Sequence, residues 1–310
     1  MTMPVSSQQK TIHEAALATS YVVPDVTSRK NQGLAHAEDY TLPQPLDRYS
    51  DQDHQTWEQL YQRQHALLPG RACDAFLAGM DLLPMGANRI PVFEELNEVL
   101  HQATRWRIVA VHGLIPDEVF FTHLSQRRFP VTWWIREPDK LDYLQEPDVF
   151  HDLFGHVPLL MNPVFADYLQ AYGLGGVKAQ HLGALPMLAR LYWYTVEFGL
   201  LKTSAGLRIY GAGIVSSRTE SLYSLESLSP NRVGFDLLRV MRTRYRIDTF
   251  QKTYFVIDDF QQLFAATAPD FTPYYEDLSK RPALGAGELI ASDEVLQRGD
   301  QSDWSDTADI

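Results

Sequence analysis

The chain has 310 residues, a formal net charge of −12 and a pI near 5.2, with 45% hydrophobic and 21% charged residues. That is the composition of an ordinary globular protein with room for a large core. The acidic balance argues against nucleic acid or an anionic membrane surface as a partner. Cys73 is the one cysteine, so there is neither a disulfide framework nor a cysteine-rich metal site, and Cys73 itself reads as a small core residue. The first residues do not resemble a signal peptide and no run approaches a membrane span, so the expected location is the cytoplasm.

Residues 1–44 are rich in Ser, Gln, Ala and Thr without sustained periodicity and are expected to form a loosely ordered leader. Apolar periodicity then predicts helices over 54–68 and 72–83. A third helix is expected from Pro91, a residue suited to a first helical turn, with Val92, Phe93, Leu96, Val99 and Leu100 along one face. Short strands are expected in WRIVAVHG (106–113) and FPVTWWI (129–135), with the helix DEVFFTHLSQ between them. Further helices are expected at 162–173, 186–200, 235–245 and 259–267, and short strands near LRIYGAG (207–213) and TYFVID (253–258). No glycine-rich phosphate loop follows a strand, and no internal repeat appears. The predicted class is mainly α with small β-sheets (α+β), one domain over 45–285. The last twenty residues hold six acids against one base, so 286–310 is expected to be a solvated acidic tail.

The chemistry concentrates in EPDVFHDLFGHVPLL, residues 146–160. His151 and His156 stand five apart in an apolar segment, and on an ideal α-helix that spacing turns the second side chain about 140° from the first. Gly155 and Pro158 suggest a helix that ends near His156, letting its side chain swing back, with Pro147 and Asp148 in the first turn. Two such histidines can be plain hydrogen-bonded core residues. Glu197, however, lies in the apolar run LYWYTVEFGL, and a carboxylate buried there needs a partner. The partner is either Arg190, seven residues back, or a divalent metal shared with the two histidines. Two imidazoles and one carboxylate suit a non-haem Fe(II) centre with open positions, and also a catalytic zinc.

HDLFGHVPL, WYTVEFGL some forty residues on, RIVAVHGLIPDEVFFTHLSQRRFPVTWWIR upstream and IYGAGIVSSRTE downstream together closely resemble the aromatic amino acid hydroxylases, which depend on iron and tetrahydropterin. The resemblance covers most of residues 50–260. It implies a single catalytic domain holding Fe(II) through His151, His156 and Glu197, and a monooxygenase that uses dioxygen and a tetrahydropterin. Arg136 matches the arginine that pairs with the substrate carboxylate, for which a guanidinium fork is suited. Ser216, Trp193 and Pro147 match the substrate pocket, Leu114 and Phe120 match pterin contacts, Asp152 an acid near the pterin, and Tyr192 an aromatic residue near the metal. Leu144 stands where animal members have a threonine near the substrate carboxylate. At Ile247, members acting on phenylalanine carry an apolar residue and those acting on tyrosine an aspartate, which implies phenylalanine as the preferred substrate. Animal members also carry a regulatory domain and an oligomerisation helix. Fewer than fifty residues before the family core and an acidic tail without heptads imply a monomer here. The remaining histidines (13, 36, 54, 65, 101, 112, 123 and 181) lack partners at ligand spacing and are expected to be structural or on the surface.

Overall fold

The computed structural model describes residues 30–142, 146–247 and 249–302; Leu144 lies outside them. Helices α1 (Asp51–Leu67), α2 (Asp74–Leu82) and α3 (Phe93–Thr104) lead into strand β2 (Arg107–Val111), helix α4 (Asp117–Ser125) and strand β3 (Arg128–Thr132). Strand β2 pairs in parallel with β3 across the α4 crossover, and β1 (Thr41–Leu42) adds antiparallel to β2. The long α5 (Pro163–His181) and α6 (Leu185–Tyr192) follow. A five-stranded sheet in the order β5-β4-β7-β6-β8 closes the fold, built from Leu200–Thr203 (β4), Gly206–Ile209 (β5), Asn231–Gly234 (β6), Thr253–Ile257 (β7) and Val295–Gln297 (β8). Short helices α7 (Ala212–Val215), α8 (Arg218–Glu226), α9 (Leu237–Arg242), α10 (Phe260–Thr267) and α11 (Thr272–Ser279) pack around it. The α+β class with small sheets is as expected.

Several local expectations change. The third helix starts at Phe93 with Val92 as its cap, so Pro91 lies before the helix rather than in its first turn. The helix expected over 162–173 runs on to His181, because its buried face continues through Tyr172, Gly176 and Ala179. Residues 41–42, expected in the leader, form β1. Within the expected acidic tail, Val295–Gln297 pairs antiparallel with β6 and Gln297 accepts a hydrogen bond from Arg232. An acidic segment can thus close a sheet edge when its backbone, rather than its side chains, makes the bonds. Cys73 is buried, as expected.

The segment that carries the two histidines is held by its apolar neighbours. Phe150, Leu153, Phe154 and Val157 recur at helical spacing and are fully buried. Phe150 and Phe154 stack on each other at 4.8 Å and meet Trp57 and Tyr61 of α1 edge-on. Beneath them α2 crosses at Gly79, where an added Cβ would stand 2.0 Å from the carbonyl oxygen of Pro158. No side chain, however small, fits there without moving one backbone from the other. Gly79→Ala should therefore cost about 1–3 kcal/mol of stability, measured as a lowered midpoint in urea. A midpoint equal to that of the wild type would show that the crossing relaxes freely.

Candidate metal centre and its surroundings

The winding around the histidines differs from the expectation. Residues His151–His156 form one π-helical turn with i→i+5 geometry and do not end a helix by swinging the last side chain back. A π turn winds more residues into each turn than an α-helix, so residues five apart are rotated less from one another and the two histidines turn toward one side. Trp193–Glu197 is wound the same way, with the amide of Phe198 donating to the carbonyl of Trp193 at 2.9 Å. Gly211 lies against this second turn, where an added Cβ would be 2.4 Å from the carbonyl oxygen of Glu197.

The two turns bring three donor sets together. Nε2 of His151 and Nε2 of His156 are 3.3 Å apart. Glu197 places Oε1 3.2 Å from the His156 nitrogen and Oε2 3.5 Å from that of His151. Arg190, the alternative partner for Glu197, instead donates to the carbonyl of Met241.

Ser216 settles the tautomer of His151. Its hydroxyl donates its one proton to the carbonyl of Ala212 at 2.7 Å, so Oγ accepts from His151 Nδ1 at 3.0 Å. With the proton on Nδ1, Nε2 presents a lone pair to the centre. Burial pushes the His151 imidazolium pKa down to about 4, against the pull of Glu197. Burial alone would raise the Glu197 carboxyl, but the neighbouring His156 and His151 outweigh it and hold it below the usual value. Two imidazole nitrogens and a carboxylate at these distances are held together by a shared proton or by a cation, and the donor set fits a single divalent metal with open positions.

A second carboxyl is nearby. Ligand-capable atoms of His151, Asp152 and His156 lie within 4.8 Å of one another. Asp152 Oδ2, however, accepts from the amide of Thr132 at 2.7 Å, and burial raises its pKa to about 7. A carboxyl half-protonated near neutrality and already hydrogen-bonded is a poorer ligand than Glu197.

Around this centre, ring contacts place Phe129 4.8 Å and Tyr192 6.3 Å from the His156 ring, with Phe120 edge-on to Tyr192 at 5.8 Å. Trp193 stacks on Tyr245 at 4.3 Å and lies 4.7 Å from Phe198. Ser216, Asp152, Tyr192, Phe120 and Trp193 are thus linked to the centre by direct contacts or through one neighbour. Pro147 is half-buried beside Asp148. Leu114 and Ile247 are 52% and 49% exposed, outside the packed cluster.

Arg136 is buried and its fork is engaged: Nε and Nη2 donate to the two oxygens of Asp148 at 2.7 and 2.9 Å, and Nη1 donates to the carbonyl of Leu141. Asp148 is 0% exposed and also accepts the amides of Arg136 and His151. It therefore joins the arginine to His151, the first candidate metal ligand. Sequence reasoning saw Asp148 only as a first-turn residue; its position three before His151 was the available signal of a cap.

Mainly helical packing around small sheets, with two histidines and one carboxylate converging, fits the class of mononuclear non-haem metal enzymes. The sequence matches the biopterin-dependent aromatic amino acid hydroxylase family over residues 19–298, and the chain belongs to that family. It is 69% identical over 291 residues to phenylalanine-4-hydroxylase of Chromobacterium violaceum, covering 94% of this chain and 98% of that one. To phenylalanine-4-hydroxylase of Ralstonia nicotianae it is 68% identical over 272 residues, 88% of this chain and 87% of that one. A crystal structure of the Chromobacterium violaceum enzyme with iron and phenylalanine bound superimposes with a TM-score of 0.85 at 70% identity, over 88% of this chain and 100% of that chain.

Buried Glu220 lies apart from the candidate metal ligands. Glu220 accepts a hydrogen bond from the Tyr254 hydroxyl, and burial raises its pKa to about 7. A raised carboxyl pKa stabilises the fold fully below the unfolded value near 4.5, and that stability is lost as pH rises through about 7. Glu220→Gln stays neutral and keeps the acceptor. From pH 4.5 to 7 the wild type should lose up to about 3 kcal/mol that the variant keeps. Urea midpoints across that range test this, and parallel curves for the two proteins would refute it.

Proposed function

We propose that this protein is a phenylalanine 4-monooxygenase, converting L-phenylalanine to L-tyrosine with dioxygen and a tetrahydropterin at one Fe(II) held by His151, His156 and Glu197. The observation that carries the reading is the convergence of two imidazole nitrogens and a carboxylate within 3.5 Å. The names of its relatives and the family's biopterin dependence support the substrate and cofactor. When bound, iron and the reduced pterin supply the activation of dioxygen.

The chain's own residues bind and orient. Ser216 keeps the His151 lone pair aimed at the metal. Phe120, Tyr192 and Leu114 offer apolar surface to a flat pterin, with Asp152 beside them as a hydrogen-bonding group. The half-exposed Leu114 suits a residue that a ligand would cover. Trp193, Pro147 and Ile247 would enclose the substrate ring, and an apolar Ile247 leaves a phenolic hydroxyl unpaired, so phenylalanine is favoured over tyrosine.

Arg136 would hold the substrate carboxylate. Three of its five N–H groups are engaged among the described residues, which leaves two for the ligand. Asp148 fixes the guanidinium plane in which those two donors lie. We also infer a monomer: β8 closes against β6 of the same chain, and light scattering at the mass of one chain is expected. No helix among the described residues is long and apolar enough to cross a membrane, which is consistent with the cytoplasmic location we propose.

The direct test is pterin-dependent oxygen uptake with phenylalanine, tyrosine and tryptophan in turn, after chelation and re-addition of Fe(II) or zinc. Activity restored by zinc, or independent of pterin, would overturn the reading. His151→Ala, His156→Ala and Glu197→Ala should each leave a folded protein with little iron by metal analysis, because two ligands make a weak site. Full iron content with normal turnover in any of them removes that residue from the ligand set. Arg136→Lys cannot reproduce the fork, so KM for phenylalanine should rise about tenfold or more. The same change strips donors from the buried Asp148 and should lower the melting temperature. An unchanged KM would place the carboxylate elsewhere.

A further inference from the structure

Ile247 is 49% exposed, so its own packing cannot hold it against the substrate. What places it is the closure of the segment around it. Gln251 is 4% exposed and uses both ends of its side-chain amide. Its Oε1 accepts from the indole Nε1 of Trp193 at 2.9 Å, and its Nε2 donates to the carbonyl of Arg246 at 3.1 Å. The segment is tied to the Glu197-bearing turn at two further points. Tyr194 donates its hydroxyl to the carbonyl of Arg244 at 2.7 Å, and the Tyr245 ring lies nearly parallel on Trp193. Behind Gln251, buried Glu220 accepts from the Tyr254 hydroxyl and from the backbone N–H of Gln251 at 3.5 Å, backing the residue from the core side.

We propose that Gln251 is a specificity-positioning residue, whose side-chain amide fixes the separation between the Trp193 wall and the Ile247 wall of the substrate-ring pocket. The inference rests on phenylalanine hydroxylation as the activity. An uncharged amide is suited to the place because it accepts at one end and donates at the other. A carboxylate can accept from Trp193 but cannot donate to Arg246. A thioether cannot donate and accepts only weakly. Losing the amide frees the segment to widen the pocket, and a wider, wetter pocket rejects the tyrosine hydroxyl less well.

The test compares wild type with Gln251→Met and the near-isosteric Gln251→Glu. In both variants the ratio of kcat/KM for phenylalanine to that for tyrosine should fall by about tenfold, the size of one lost hydrogen bond. Iron content and the KM for tetrahydropterin should stay within twofold of wild type. Amide hydrogen exchange at Tyr245, Arg246 and Ile247 should accelerate. A merely structural role would lower the melting temperature of the variants and leave the ratio within twofold, and that result overturns the proposal. If Gln251→Met does not fold, Gln251→Glu carries the same comparison. Absence of phenylalanine turnover in wild type would defeat the underlying activity instead. In that case unchanged exchange in the variants would still refute the positioning role.

Discussion

Two stretches of backbone, His151–His156 and Trp193–Glu197, are wound one residue wider than an α-helix, and the position of each candidate ligand follows from that winding. A π turn is less favourable than an α turn by itself and persists only where its surroundings hold it. Here the holding is done by packing. Phe150, Leu153, Phe154 and Val157 anchor the first turn from below, and α2 meets the chain backbone to backbone just beyond it, where Gly79 faces Pro158. Gly211 lets the chain pass equally close to the second. The apolar core thus forces three groups with converging lone pairs and charge into one small space.

That arrangement makes the metal part of the electrostatic balance of the fold. Burial lowers the His151 imidazolium pKa, and contact with His156 holds the Glu197 carboxyl below its usual value despite burial. Asp148, fully buried, gathers donors from Arg136 and from the His151 backbone. Arg136 and His151, the proposed substrate anchor and metal ligand, consequently share one carboxylate. Replacing one member of such a buried ionic network leaves the others desolvated and unpaired, which costs more than the interaction itself contributes.

Much of this was legible without coordinates. Most helices lie close to where apolar periodicity predicted, because burying an apolar stripe is a local property of the sequence, but the one expected over 186–200 gives way to the π turn at Trp193 and to β4 at Leu200. The β2–α4–β3 unit was readable for the same reason. Edge strands were not: Thr41–Leu42 and Val295–Gln297 carry no apolar alternation, and only the open edges of their partners recruit them. The candidate ligands stand out as residue types and through the family resemblance; the winding ends at His156 as expected, whereas the π turn behind the odd spacing carries no local signal.

The sequence by itself determined the chemistry available: two histidines and a carboxylate in apolar runs, an arginine upstream, and glycines where chains must meet closely. Tertiary structure alone decided how those groups are aimed. The π winding is set by packing on both sides of each turn, the His151 tautomer by a serine sixty-five residues away, and the closure of the Ile247 segment by an indole fifty-eight residues from Gln251. These are long-range contacts, and their geometry exists only once the core has formed, so no local pattern in the chain could have encoded it visibly.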